Sequence, residues 1–158
     1  VATDHTNLSE YDRDSLPDAS HLEIGLVVSE WNAEITDSLY KAAYKTLVDC
    51  GVWENNIHKM DVPGSFELIM GSKRMMEAHK PDAIIAIGSV IQGETRHFDF
   101  VCQAVAHGIK DLNVSTDTPV IFCVLTDDTL QQAQDRSGGK HGNKGVEAAI
   151  AAIRMATL

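Results

Sequence analysis

From Leu22 onward the chain alternates short apolar runs with stretches of helical period, a pattern that favours strands and helices sharing one parallel sheet. The apolar runs are Ile24 to Val28, Ile57 to Val62, Ala83 to Ile91 and Val120 to Leu125, which predict four strands. Between the first two, Ile35, Leu39, Ala43, Leu47 and Cys50 recur at spacings of three and four, so one helix face is apolar from about residue 32 to 50. Asn32 is expected to cap that helix and Gly51 to end it. A second helix is predicted over 65–79, before Pro81, and a third carries Phe98, Val101, Val105, Ile109 and Leu112 on one side. After the fourth run come a short helix over 128–136, the glycine-rich break Gly138-Gly139-Lys140-His141-Gly142, and a terminal helix with Val146, Ile150 and Ile153 inward.

Residues 1–21 lack this alternation. Asp4, Glu10, Asp12, Asp14 and Asp18 stand there against Arg13 alone, which describes an arm preceding a single domain over 22–158. Leu8, Tyr11 and Leu16 are the arm's candidates for docking on a neighbour, a loose tail being the alternative. With 158 residues, of which 44% are hydrophobic, the chain can bury one core. A net charge of -10 argues against nucleic acid or an anionic membrane as partner, since both require a clustered basic face. No apolar run approaches the roughly 20 residues of a membrane span, and the expectation is a soluble cytoplasmic protein. Cys50, Cys102 and Cys123 lack CxxC spacing, so buried thiols are expected rather than a zinc site or a disulfide framework.

The polar residues gather where the strands end. Ser29-Glu30-Trp31-Asn32 follows the first, Pro63-Gly64-Ser65-Phe66-Glu67 the second, Gly88 to His97 the third and Thr126-Asp127 the fourth. In open parallel sheets ligands bind beyond the carboxyl ends of the strands, which predicts one composite cleft. The turn Gly93-Glu94-Thr95 opens a helix whose first amides are free to receive an anion. His97 stands in the first turn, where the positive helix end favours a neutral ring able to accept a proton; it serves as a general base or is an ordinary exposed histidine. Arg136, Lys140 and Lys144 cluster in an otherwise acidic chain, as a phosphate clamp or as cations favoured at a helix end. Trp31 can stack on a flat heterocycle or pack between loop and helix. Glu67 can hold hydroxyls or simply favour a helix start, and Phe66 and Phe122 wall the cleft or fill the core.

Several familiar sites are excluded. No GxGxxG follows a strand, Gly142-Asn143-Lys144-Gly145 does not complete a P-loop, no GxSxG is present, and no aspartate ends the third strand as in a phosphorylated receiver. What is left is a cleft for an aromatic or polar ligand bearing phosphate.

Four segments together, Ser29 to Asn32, Val62 to Glu67, Gly88 to Phe100 and Arg136 to Gly145, closely resemble the 6,7-dimethyl-8-ribityllumazine synthase family in order and spacing over about 22–158. The resemblance implies a flavodoxin-like three-layer α/β fold with a four-stranded parallel sheet in the order 2-1-3-4 and an N-terminal arm reaching a neighbouring subunit. It implies condensation of 5-amino-6-(D-ribitylamino)uracil with 3,4-dihydroxy-2-butanone 4-phosphate, with no metal and no organic cofactor. By position, Trp31 would stack on the pyrimidine ring, and Asn32 with the backbone of Ser89, Val90 and Ile91 would bind its edge. Ser65, Phe66 and Glu67 would hold the ribityl chain. Gly93, Glu94 and Thr95 would form the phosphate turn, and His97 would transfer protons. Phe122, Arg136 and Lys144 match positions used across a subunit boundary, with Arg136 meeting the phosphate. The family forms homo-pentamers, some joined as twelve pentamers in an icosahedral shell, and the resemblance extends to riboflavin synthase as a partner. An archaeal-type riboflavin synthase and a non-catalytic shell or flavin-binding protein are the alternatives, against which Thr95, His97 and Arg136 argue.

Overall fold

A computed structural model of the protein describes residues 6–158, so Asp4 of the acidic arm lies outside the described residues. Four strands, β1 (Ile24–Ser29), β2 (Ile57–Val62), β3 (Ala83–Ile91) and β4 (Val120–Asp127), form one parallel sheet in the order β2-β1-β3-β4. The helices are α1 (Ala33–Asp49), α2 (Leu68–His79), α3 (His97–Ser115), α4 (Leu130–Arg136) and α5 (Lys144–Ala156). The predicted strand runs, fold class and strand order are those observed.

Alternation along each strand divides the core into two layers. Leu26, Val28, Ile85, Ile87, Cys123 and Leu125 pack with Ile35, Leu39, Leu47 and Ile153 of α1 and α5. Val27, Ile84, Ala86 and Val124 pack with Leu68, Met75, Val105 and Ile109 of α2 and α3. The two inner strands are therefore apolar on both faces, as a parallel sheet covered by helices requires. The edge strand β2 leaves Lys59 and Asp61 exposed.

Gly51 ends α1 with φ +102°, as expected. Asn32 does not cap it through its side chain. It sits in the left-handed region at φ 60°, and its amide is committed elsewhere, to the carbonyl of Ser89. The side-chain caps that do form are Thr129 on α4, accepting from the Gln132 amide, and Asn143 on α5, accepting from the Gly145 amide.

The glycine-rich break folds into a small antiparallel pair, β5 (Ser137–Gly139) and β6 (Gly142–Asn143). The arm lies against it. The Leu8 amide donates to the His141 carbonyl at 2.8 Å, the Asn143 amide donates to Ser9 Oγ at 2.9 Å, and Leu8 is buried. Over its described residues the arm is thus not a loose tail: Leu8 docks on its own chain, Leu16 is half-buried and Tyr11 stays exposed. The cysteine expectation also needs correction. Cys123 on β4 is buried, but Cys50 at the end of α1 and Cys102 on the flank of α3 are only partly covered.

Candidate active site

The sheet's strand order reverses between β1 and β3, which run parallel and so end on the same side of the sheet. Their carboxyl ends, with that of β2, surround a cavity of about 570 Å³, within the roughly 300–1,000 Å³ of small-molecule sites. Two backbone bonds fold the segment after β1 over the segment after β2: the Glu30 amide donates to the Val62 carbonyl at 2.8 Å and the Trp31 amide to the Pro63 carbonyl at 3.2 Å. This holds Trp31 at the cavity rim with its side chain 72% exposed, so the indole is available to a ligand rather than packed between loop and helix.

Ser65 and Phe66 lie on a single 3-10 turn with Glu67, and all three line the cavity. Phe66 is exposed there and is not core. Gly88 on β3 permits this approach, because a Cβ on it would fall 2.6 Å from Ser65 Oγ. Ser65 and Ser89 each bury a hydroxyl oxygen that has no hydrogen-bond partner among the described residues. Both residues line the cavity, but these two oxygens are themselves closed off from it, Ser65 Oγ lying toward Gly88 of β3.

The third wall is the passage from β3 into α3. Val90, Ile91, Gly93, Thr95 and His97 all line the cavity. No side chain caps α3 at Arg96, and His97 is its first helical residue, exposed to solvent. The His97 amide leans toward Thr95 Oγ1 at 3.4 Å, which fixes the hydroxyl beside the helix start. The start of a 19-residue helix with no side-chain cap at Arg96 is the kind of position that can receive an anion. An imidazole stands in the same turn.

The cavity gathers Trp31, Asn32, Ser65, Phe66, Glu67, Ser89, Val90, Ile91, Gly93, Thr95 and His97. Glu94, Phe122, Arg136 and Lys144 are not among its lining residues. Phe122 is half-buried and packs against the α2 and α3 layer. Lys144 opens α5, with its Nζ 3.3 Å from Glu147. Arg136 ends α4, donates to the Gln132 carbonyl at 3.0 Å and lies 3.9 Å from Asp127 Oδ1. Gly64, Phe98 and Val101 line the cavity without having been singled out for it. Phe98 and Val101 share the apolar stripe of α3, and their spacing of one and four from His97 was the available signal that the first turn of this stripe faces the site.

Asp127, at the end of β4, is 5% exposed, and its Oδ2 has no partner among the described residues. Burial raises its pKa above the ordinary value; the Arg136 guanidinium opposes that and Asp128 adds to it. No helix among the described residues is long and apolar enough to cross a membrane.

The family profile described as 6,7-dimethyl-8-ribityllumazine synthase matches residues 21–158. A protein of that name from Flavobacterium johnsoniae is 61% identical over the whole chain, which covers 83% of that relative. Relatives of the same name from Flavobacterium psychrophilum and Christiangramia forsetii are each 58% identical over the whole chain, covering 84% and 95% of their lengths. With the profile spanning the whole sheet and the cavity at its strand ends, the chain belongs to the 6,7-dimethyl-8-ribityllumazine synthase family.

Proposed function

We propose that this protein is a transferase of riboflavin biosynthesis that condenses 5-amino-6-(D-ribitylamino)uracil with 3,4-dihydroxy-2-butanone 4-phosphate to 6,7-dimethyl-8-ribityllumazine. The observation that carries this is the joint lining of one cavity by an exposed indole, by Ser65, Phe66 and Glu67 on one turn, and by a histidine in the first turn of α3. Trp31 stacks on the pyrimidine, Asn32 and the backbone of Ser89 to Ile91 meet its edge, and Ser65, Phe66 and Glu67 hold the ribityl chain. Gly93, Glu94 and Thr95 seat the phosphate.

The amine of the uracil attacks the ketone, and loss of water gives an imine. Phosphate is then eliminated with the proton of the neighbouring carbinol carbon, the enol so formed tautomerises to a ketone, and the ring closes on that new carbonyl with loss of another water. His97 moves protons for the elimination and the closure. Alignment supplies most of the acceleration, since holding two reactants in register is worth roughly 7–11 kcal/mol.

Phe122, Arg136 and Lys144 lie outside the single-chain cavity, which favours a site finished by a second copy, Arg136 reaching the neighbour's phosphate. The assembly is a pentamer, and the short turn between β5 and β6, without insertion, favours twelve pentamers in a shell able to work with riboflavin synthase in the cytoplasm. Light scattering that finds only free pentamers rejects the shell.

The enzymatic test is to supply both substrates and follow lumazine fluorescence. Formation of lumazine with equimolar phosphate is expected. Riboflavin made from lumazine alone would identify the archaeal-type synthase instead, and no product from either mixture would identify a non-catalytic protein.

A further inference from the structure

Asp127 belongs to none of the roles above, yet its placement is unusual for a carboxylate. It is 5% exposed at the end of the edge strand β4, and one of its oxygens lacks any partner among the described residues. Its backbone is fixed in the sheet: Asp127 registers opposite Ile91 of β3, and its carbonyl accepts from the Gln92 amide at 2.9 Å. Its other oxygen lies 3.9 Å from an Arg136 guanidinium nitrogen. That exceeds hydrogen-bond length, so the attraction between the two side chains is coulombic. The same guanidinium bonds to the Gln132 carbonyl of its own helix.

We infer that Asp127 is a positioning residue: its buried carboxylate holds Arg136 beside the end of β4 until phosphate draws the guanidinium away, and the carboxylate then takes a proton from solvent. This rests on Arg136 as the phosphate-binding arginine. An ionised carboxylate is tolerated in a dry site only while a cation compensates it. The charged groups that act on Asp127 among the described residues are Arg136 on α4 and Asp128 in the adjoining turn, so losing the first leaves only a like charge. Phosphate binding and proton uptake are thereby linked, and affinity for the phosphate substrate falls as pH rises between the carboxyl's values in the two states. One linked proton steepens that fall by up to about tenfold per pH unit.

The test uses the full chain in its native assembly, with inorganic phosphate and the phosphate substrate as probes. Calorimetry in two buffers of different ionisation enthalpy counts the protons taken up with phosphate, and KM for the phosphate substrate is followed against pH. Wild type is expected to take up a proton that Asp127→Asn does not, and the variant's KM to be less dependent on pH while its kcat profile is retained. Equal uptake and equal KM slopes in a folded Asp127→Asn overturn the inference. If that variant does not fold, absence of any uptake by wild type beyond phosphate's own titration overturns it alone. Arg136→Ala separates the two levels: undiminished phosphate binding in it refutes the role of Arg136, whereas weakened binding there with unchanged behaviour in Asp127→Asn refutes only the role of Asp127.

Discussion

The side-chain amide of Asn32 donates to the carbonyl of Ser89 at 2.8 Å, joining the turn after β1 to the end of β3, 57 residues apart in sequence. Asn32 accomplishes this from the left-handed region, which asparagine tolerates better than most residues. Asn32→Leu loses both the bond and this tolerance and should cost about 1.5–3.5 kcal/mol, adding the roughly 0.5–1.5 kcal/mol of a hydrogen bond to about 1–2 of backbone strain. Asn32→Gly loses the bond alone and should cost about 1 kcal/mol. Urea unfolding of the two variants checks the difference; equal losses would mean that the backbone geometry is not what Asn32 supplies.

Gly145 is where α5 meets α1. A Cβ there would lie 2.1 Å from the Leu39 carbonyl oxygen, a backbone atom that cannot turn aside. Gly145→Ala should cost at least the roughly 1–3 kcal/mol of overpacking, as the two helices move apart. Gly93 has nothing within 4 Å of such an atom, and Gly93→Ala should leave stability within about 0.5 kcal/mol while raising KM for the phosphate substrate. A midpoint for Gly145→Ala matching wild type contradicts the contact.

The thiol of Cys123 is fully buried, and burial pushes it up to about 12, against the pull of Lys144 and with a further push from Glu147. Its folded value lies above the ordinary 9.0. Stability from the neutral thiol is therefore intact below pH 9.0 and is lost from there toward about 12, at up to about 1.4 kcal/mol per pH unit. Cys123→Ala should flatten alkaline destabilisation, measured by denaturant midpoints at several pH values. A thiol reagent should label Cys50 and Cys102 before Cys123; simultaneous labelling under native conditions would be incompatible with that burial.

His97 lines the cavity from the first turn of α3, its amide donating to Thr95 Oγ1 at 3.4 Å. His97→Ala should reduce kcat by up to about 10²-fold, the lower end for general acid–base catalysis, because alignment of the substrates survives. KM for both substrates should change little. Arg136→Ala should instead raise KM for the phosphate substrate alone. Steady-state kinetics separate the two, and unchanged constants in both variants would remove these residues from the reaction.

The four strands, the helices between them and the gathering of polar segments where the strands end were all legible along the chain, while the three-layer order came from the resemblance. Each follows from a local property: a period of two sends alternate strand residues to opposite faces, and a period near four puts an apolar stripe on each helix. Of the site residues that the resemblance implied, eleven line the cavity and four, Glu94, Phe122, Arg136 and Lys144, do not. The fate of particular side chains was decided by partners far off in sequence. Asn32 looked like a helix cap until Ser89 took its amide, and Phe98 and Val101 looked like core until the first turn of α3 faced the cavity. The arm's Leu8 found the hairpin at His141, and Asp127 became a buried, half-paired carboxylate only because α4 brings Arg136 back beside β4. Periodicity fixes which face a residue presents, whereas hydrogen-bond partners and burial depend on what the closed fold sets opposite that face.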